Sequence, residues 1–418
     1  MRINCPSLHA AMMPVAICAL LTIFTVHTSE SLQADDWLQF RGNDCTSLAP
    51  EANLPTEFGE GKNIGWSKPL VGRGLSGPIV VSNRVYLTAS SGYDQSRLHV
   101  LCFDAESGDQ LWERTFAATG RTVCHEKMCV ATPTPASDGE RIFAFYSSND
   151  VACLDLEGNL LWYRGLTYDY PNASNSLGMS SSPIVLGDVA IFQVESDADS
   201  LAFGLDVATG ETKWKLTRPR DSNWTSPAVY PTGSSKPTLA LLQSSTGIDA
   251  VDPANGETVW SFEDGASSIP SSVVAGDTIY VPSNGVTAIQ PHQGSPAPEI
   301  VGSLNNLSPS TPSPIAYNGK VYTINRSGVL ACGDVMKEER LWQLRLGGRF
   351  SSTPIIAGDR LYAFNEEGVG YVVDLSGEEG KVLSENPLNE VVLCTPAVAN
   401  DALFVRSDST LWKITADK

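Results

Sequence analysis

One short unit recurs eight times along this 418-residue chain, and its period restricts the fold more than any other feature. The unit reads small, small, Pro, two or three apolar residues, a Gly/Asn/Asp turn, then a β-branched residue and an aromatic. In the copies ending at Tyr86, Phe143, Tyr322, Tyr362 and Phe404 the proline stands eight residues before the aromatic. A sixth copy ends in Ile191, a seventh has Ser272 in place of the proline, and the copy starting at Pro227 carries an insertion after Tyr230. A second element follows most copies: a small residue, an apolar one, Asp, a turn and Trp. It pairs Asp104 with Trp112, Asp155 with Trp162, Asp206 with Trp214, Asp252 with Trp260 and Asp334 with Trp342. Aspartate bonds its own backbone at a turn, glycine supplies positive φ, and tryptophan covers a neighbouring sheet.

Each unit holds four short strands, and successive copies lie 40 to 57 residues apart, the period of propeller blades. The eighth copy ends at Trp412 with three strands. The segment around Trp66 supplies the fourth, which closes the ring and leaves no free edge there. The predicted fold is all-β: an eight-bladed propeller of four-stranded blades over 64–418, after an irregular stretch from 35 to 63.

Composition agrees with that fold. Gly and Pro sum to 61 residues (35 + 26), which suits many tight turns and excludes long helical bundles. A formal charge of −19 repels a polyanion, so nucleic acid is not an expected partner. The first residues have a positive start, an apolar run from Ala10 to Val26 and a polar end, the layout of a secretory signal. Cleavage is expected after Ala34, with no transmembrane span afterwards and a periplasmic or secreted destination.

The combined pattern resembles the pyrroloquinoline-quinone (PQQ) repeat. Propellers with this repeat include quinoprotein alcohol and glucose dehydrogenases and the non-enzymatic BamB-like propeller of the outer-membrane β-barrel assembly machinery. The opening Trp37–Asp44 also resembles a planctomycete-type branch of secreted repeat proteins. For the dehydrogenases the resemblance implies a quinone over a tryptophan floor, beneath a disulfide ring of adjacent cysteines, with calcium held by carboxylate and amide oxygens. No two cysteines are adjacent here, no calcium or catalytic residue matches by position, and no Cys-x-x-Cys-His occurs. PQQ with calcium therefore belongs only to an alternative, oxidoreductase reading. The fifth blade has Gln290 where Asp is expected and no Trp; the seventh has Asp374 but no Trp.

Cys102, Cys153 and Cys332 stand two residues before the blade Asp, where Gly204 and Ala250 stand elsewhere, so they read as small buried fillers. Cys394 occupies the slot of Ser76 and Ser181. Cys124 and Cys129 share a loop and are expected to form a local disulfide in an oxidising compartment; Cys45 is unassigned. The run Gly72–Gly77 satisfies Gly-x-Gly-x-x-Gly but leads into a strand, so it is a turn and not a dinucleotide site.

The long connections, 113–130, 163–180 and 88–97, belong to the two loop classes that emerge on one face of a propeller, where binding resides. They offer Arg121, His125 and Lys127, a positive cluster on an acidic chain, and Arg164, Tyr168, Asp169, Tyr170, Asn172 and Asn175. The expected function is an exported, non-catalytic binding or scaffold module for an envelope protein, peptide or glycan. The alternatives are a divergent quinoprotein oxidoreductase and a carbohydrate-handling propeller.

Overall fold

Eight antiparallel sheets account for nearly all the strands of the computed structural model, which describes residues 36–233, 238–292 and 294–416. The expected leader and its cleavage point, and part of the insertion after Tyr230, lie outside the described residues. Blade 1 shows the common plan: Ile79–Val81, Arg84–Ser91, Arg97–Asp104 and Gln110–Ala117, from a three-residue inner strand to a long outer one. In blade 8 the outer strand is Ile64–Pro69, paired antiparallel with Thr410–Thr415, so the ring closes as the leftover Trp66 indicates.

The tryptophans bind each blade to the next. The indole N–H of Trp66 donates to the Ala105 carbonyl (3.2 Å), Trp112 to Leu156 (3.1 Å), Trp162 to Val207 (3.0 Å) and Trp214 to Pro253 (2.7 Å). Each acceptor lies in the following blade's Asp turn. There Gly108, Gly158, Gly210 and Gly256 adopt φ between 71° and 82°, and a Cβ on any of them would meet the indole at 2.5–2.7 Å. Glycine is required there for both reasons. The turn Asp bonds its own backbone: Asp104 accepts from the amides of Glu106 (2.9 Å) and Ser107 (2.7 Å), which hold its carboxyl below the usual range. Within each blade the tryptophan pairs across the ladder with the small residue two before Asp, namely Cys102, Cys153, Gly204, Ala250 and Cys332. That contact explains three of the cysteines.

A second set of bonds runs around the channel and was not read from the sequence. The residue before the blade proline is a hydroxyl in seven blades, and it accepts the matching amide of the blade before. The amide of Gly77 donates to Thr134 Oγ1 (2.8 Å), Thr134 to Ser182 Oγ (3.0 Å), Ser182 to Ser226 (2.9 Å) and Ser226 to Ser271 (2.9 Å). Ser271 then donates to Ser313 (2.9 Å), Ser313 to Thr353 (3.1 Å) and Thr353 to Thr395 (3.1 Å). Blade 1 has Gly77 at this position, so the junction from blade 8 to blade 1 has no such hydroxyl. Arg406 spans that seam, donating from Nη1 to Ser76 Oγ (3.1 Å) and the Thr88 carbonyl (2.7 Å). The glycines of Gly72–Gly77 belong to the seam: a Cβ on Gly74 would lie 2.5 Å from Arg406 Nη2, and one on Gly77 would lie 2.6 Å from the Thr395 carbonyl.

The stretch before the ring is an ordered plug. Inner strands present an unpaired backbone edge to the channel, and such groups need partners once buried. Trp37 exchanges two backbone bonds with Val80 (2.9 and 3.0 Å). Leu38 accepts from the Ser137 amide (2.8 Å), Gln39 Oε1 from Val185 (3.0 Å) and Ser47 from Ile356 (3.0 Å). Leu48–Ala49 adds a parallel strand beside Ile355–Ala357. Arg41, 1% exposed, donates to the carbonyls of Ser272 (2.9 Å) and Pro314 (3.3 Å), and burial lowers its pKa to about 10. Cys45 is buried beside Val229, and burial pushes its thiol up to about 12. The Asn53 amide donates to Asp401 (2.8 Å), so residues 37–53 touch all eight blades. Asp36 bonds the Ser82 amide and Asn53 bonds Asp401, both in turns between first and second strands, so the plug fills the channel from the short-turn face.

Candidate functional site

The opposite, long-loop face keeps an open mouth; the outer strand runs on to Ala117, so the expected connection 113–130 is reduced to residues 118–130, which run across the mouth as a strap. Thr119 Oγ1 and its amide bond Asp150 (2.5 and 2.9 Å), and Arg73 donates to the Glu126 carbonyl (2.8 Å). The His125 amide donates to Leu177 (2.9 Å), and Val130 to Gln95 Oε1 (3.0 Å). At the far end Lys127 Nζ reaches Glu366 of blade 7 at 2.8 Å. On the strap and the neighbouring long loops, Tyr93 is 87%, Val123 57% and Tyr168 93% exposed.

Beyond the strap lies a cavity of about 350 Å³, lined by Lys127, Ile269, Ser310, Thr311, Arg326, Arg349, Phe350 and Glu366. Every one of these residues sits on a blade-to-blade loop or a second-to-third-strand turn. Glu366 accepts from Ser351 Oγ (2.8 Å) as well as from Lys127. Burial pushes its carboxyl up, but these bonds and the Arg349 charge hold it below the usual range. Sequence reasoning missed Arg326 and Arg349, which come to Lys127 only through ring closure.

The expected site residues divide into two groups. Arg121, His125, Lys127, Tyr168, Asp169 and Asn172 are exposed on the long-loop face. Arg164, Tyr170 and Asn175 are committed to the fold. Arg164 donates to the Gly210 carbonyl (2.5 Å) and pairs with Asp169 (2.6 Å), repeating the tie of Arg114 to Gly158 (2.6 Å) one blade earlier. The Tyr170 ring packs on Phe203 at 4.9 Å with Lys215 Nζ over it at 5.0 Å. Asn175, 5% exposed, bonds the Glu195 carbonyl and the Leu177 amide. Cys124 and Cys129 are separate free thiols rather than the expected bridge. Cys124 Sγ faces the Met128 carbonyl and Gln95 on the half-exposed strap. Cys129 is buried against Thr132, and burial pushes its thiol up to about 11.

The sequence matches the family model of the outer membrane protein assembly factor BamB over 59–223, 117–263, 247–368 and 337–418. The chain belongs to this family. The overlapping matches follow from the blade repeat. No curated protein matches the sequence. Among solved structures, this BamB-family propeller is similar to BamB from Moraxella catarrhalis, with TM-score 0.62, 17% identity, and 84% of this chain and 96% of that one covered. It is also similar to a europium-containing methanol dehydrogenase (0.67, 14%, 89% and 90%). A third is the quinohemoprotein alcohol dehydrogenase from Comamonas testosteroni (0.67, 13%, 93% and 82%). These likenesses establish the eight-bladed PQQ-like fold and not an activity.

The residues at the mouth do not fit a quinone–calcium centre. The acidic residue of the cavity, Glu366, is taken by Lys127 and Ser351, and the apolar lining is Ile269 and Phe350 rather than tryptophan. The buried carboxylates on this side are engaged within the protein: Asp150 accepts from Thr119 and Ser148, and Glu195 pairs with Arg218. Among the described residues no group of three or more His, Cys, Asp or Glu could hold a metal ion.

Proposed function

We propose that this BamB-family propeller is an exported, non-catalytic binding module of the cell envelope, and that a protein or peptide partner docks on the long-loop face. The strap latched across the mouth by Lys127 and Glu366 carries this reading. It places exposed Tyr93 and Tyr168 on one side of the mouth and a cationic cavity on the other. Tyrosine is enriched among the few residues that carry most of the binding energy at protein interfaces. The opposite mouth is filled by residues 37–53, which favours one working face.

The test is capture from envelope extract. Tyr93→Ala/Tyr168→Ala should lose the captured partner, while Glu140→Ala/Asp277→Ala in short turns of the other face should retain it. The opposite pattern would place binding on the wrong face. Titration with PQQ and calcium should give no bound-quinone absorbance, and its appearance would favour the oxidoreductase reading.

A further inference from the structure

We infer that the mouth cavity is a receptor for the carboxylates of a short acidic peptide segment, with Arg326 and Arg349 as the recognising groups. This rests on the reading of the long-loop face as the docking face. Lys127, Arg326 and Arg349 line the cavity against the single carboxylate of Glu366, so three positive charges less one negative leave two in excess. The whole chain has a formal charge of −19, so this local sign is opposite to that of the surrounding surface. Lys127 is occupied by Glu366. Among the described residues, neither the Arg326 nor the Arg349 side chain makes a hydrogen bond or ion pair. Two guanidiniums without hydrogen bonds in one concavity, one on the second-to-third-strand turn of blade 6 and one on the connection from blade 6 to blade 7, suit paired carboxylates, which arginine grips with two parallel bonds.

The size and lining narrow the ligand further. About 350 Å³ holds roughly ten waters at liquid density, which is room for one or two acidic side chains. A long polyanion is disfavoured, because everything beyond the cavity would meet the negative field of the protein. Ile269, 47% exposed, and Phe350 add an apolar wall that a small inorganic anion would leave unused. A segment with paired glutamates next to an aliphatic residue uses both parts of the lining.

The experiment uses the whole protein and a fluorescein-labelled Gly-Leu-Glu-Glu-Leu-Glu-Glu peptide, followed by anisotropy, with the Gln-for-Glu peptide as control. The acidic peptide should bind and the control should not, and binding should weaken as salt rises. Arg326→Ala/Arg349→Ala should weaken it tenfold or more, with an unchanged melting temperature because neither side chain bonds the fold. Glu366→Gln removes the competing carboxylate and should tighten binding severalfold, a gain that misfolding cannot imitate. Equal binding of both peptides, no binding of either, or a double variant that binds like the parent overturns the assignment. If that happens while envelope capture still depends on Tyr93 and Tyr168, only the cavity assignment falls; if capture is indifferent to those tyrosines, the docking face falls with it.

Discussion

Trp214 and Gly204 sit opposite one another on the third and fourth strands of blade 3, and a Cβ on Gly204 would overlap the indole. The pair offers a test of how the blades cohere. Trp214 is 6% exposed, lies against Gly256 of blade 4 and donates to Pro253. Trp214→Ala should cost about 3–5 kcal/mol, as large aromatic truncations in cores do. For a chain of this size that lowers the melting temperature by roughly 4–6 °C. Gly204→Ala should cost about 1–3 kcal/mol by overpacking. The lower end is expected, because Cys102, Cys153 and Cys332 carry a Cβ at the same position opposite their own tryptophans. In the Trp214→Ala background the alanine at 204 fills space, so its cost should vanish. Urea unfolding of both single variants and the double, followed by circular dichroism, measures the coupling. Additive costs within about 0.5 kcal/mol would refute the account of why this slot is small.

Three further outcomes are expected. Removal of residues 1–49 uncovers inner-strand edges and should lower the melting temperature and promote self-association, seen by light scattering. Burial pushes the Glu195 carboxyl from its ordinary 4.5 up to about 7 against the pull of Arg218; the folded state then binds the extra proton between those values, so this group's stabilisation falls as pH rises from about 4.5 to 7. Glu195→Gln should remove that part of the slope in urea unfolding at pH 5, 6, 7 and 8. Native-state thiol labelling should modify half-exposed Cys124 and spare Cys129 until unfolding; protection of both, with a mass two units lower, would establish the bridge instead.

The features legible in the sequence are those that repeat. Seven prolines and Ser272 in the eighth such position, five tryptophans beside their aspartates and the unpaired Trp66 specify blade number and closure, because most blades repeat the same contact with their neighbour. The plug is invisible at that level. Its partners are spread over all eight blades, and Arg41, Cys45 and Ser47 hold positive φ without being glycine, so neither period nor turn chemistry marks them. The hydroxyl before each proline was visible only as a small residue, although Thr or Ser at seven of eight copies is a signal in itself. Arg164 and Tyr170 look like ligand groups in isolation. Alignment with Arg114, which also follows its tryptophan by two, would have marked Arg164 as an interblade tie. The cationic cavity joins Lys127 to residues some two hundred positions away, which only the closed ring brings together.

The seam between blades 8 and 1 gives the ring a mechanical polarity. Seven junctions are made by neighbours in sequence and can form as soon as each new blade emerges. The eighth waits for Ile64–Pro69 to meet Thr410–Thr415, a loop closure spanning nearly the whole described chain. It is also the junction where Gly77 omits the hydroxyl bond and Arg406 substitutes for it. Blade 8 is thus the clasp of a bracelet, the last part to fasten and the first to part under load. Amide exchange in Thr410–Thr415 should report how often it opens.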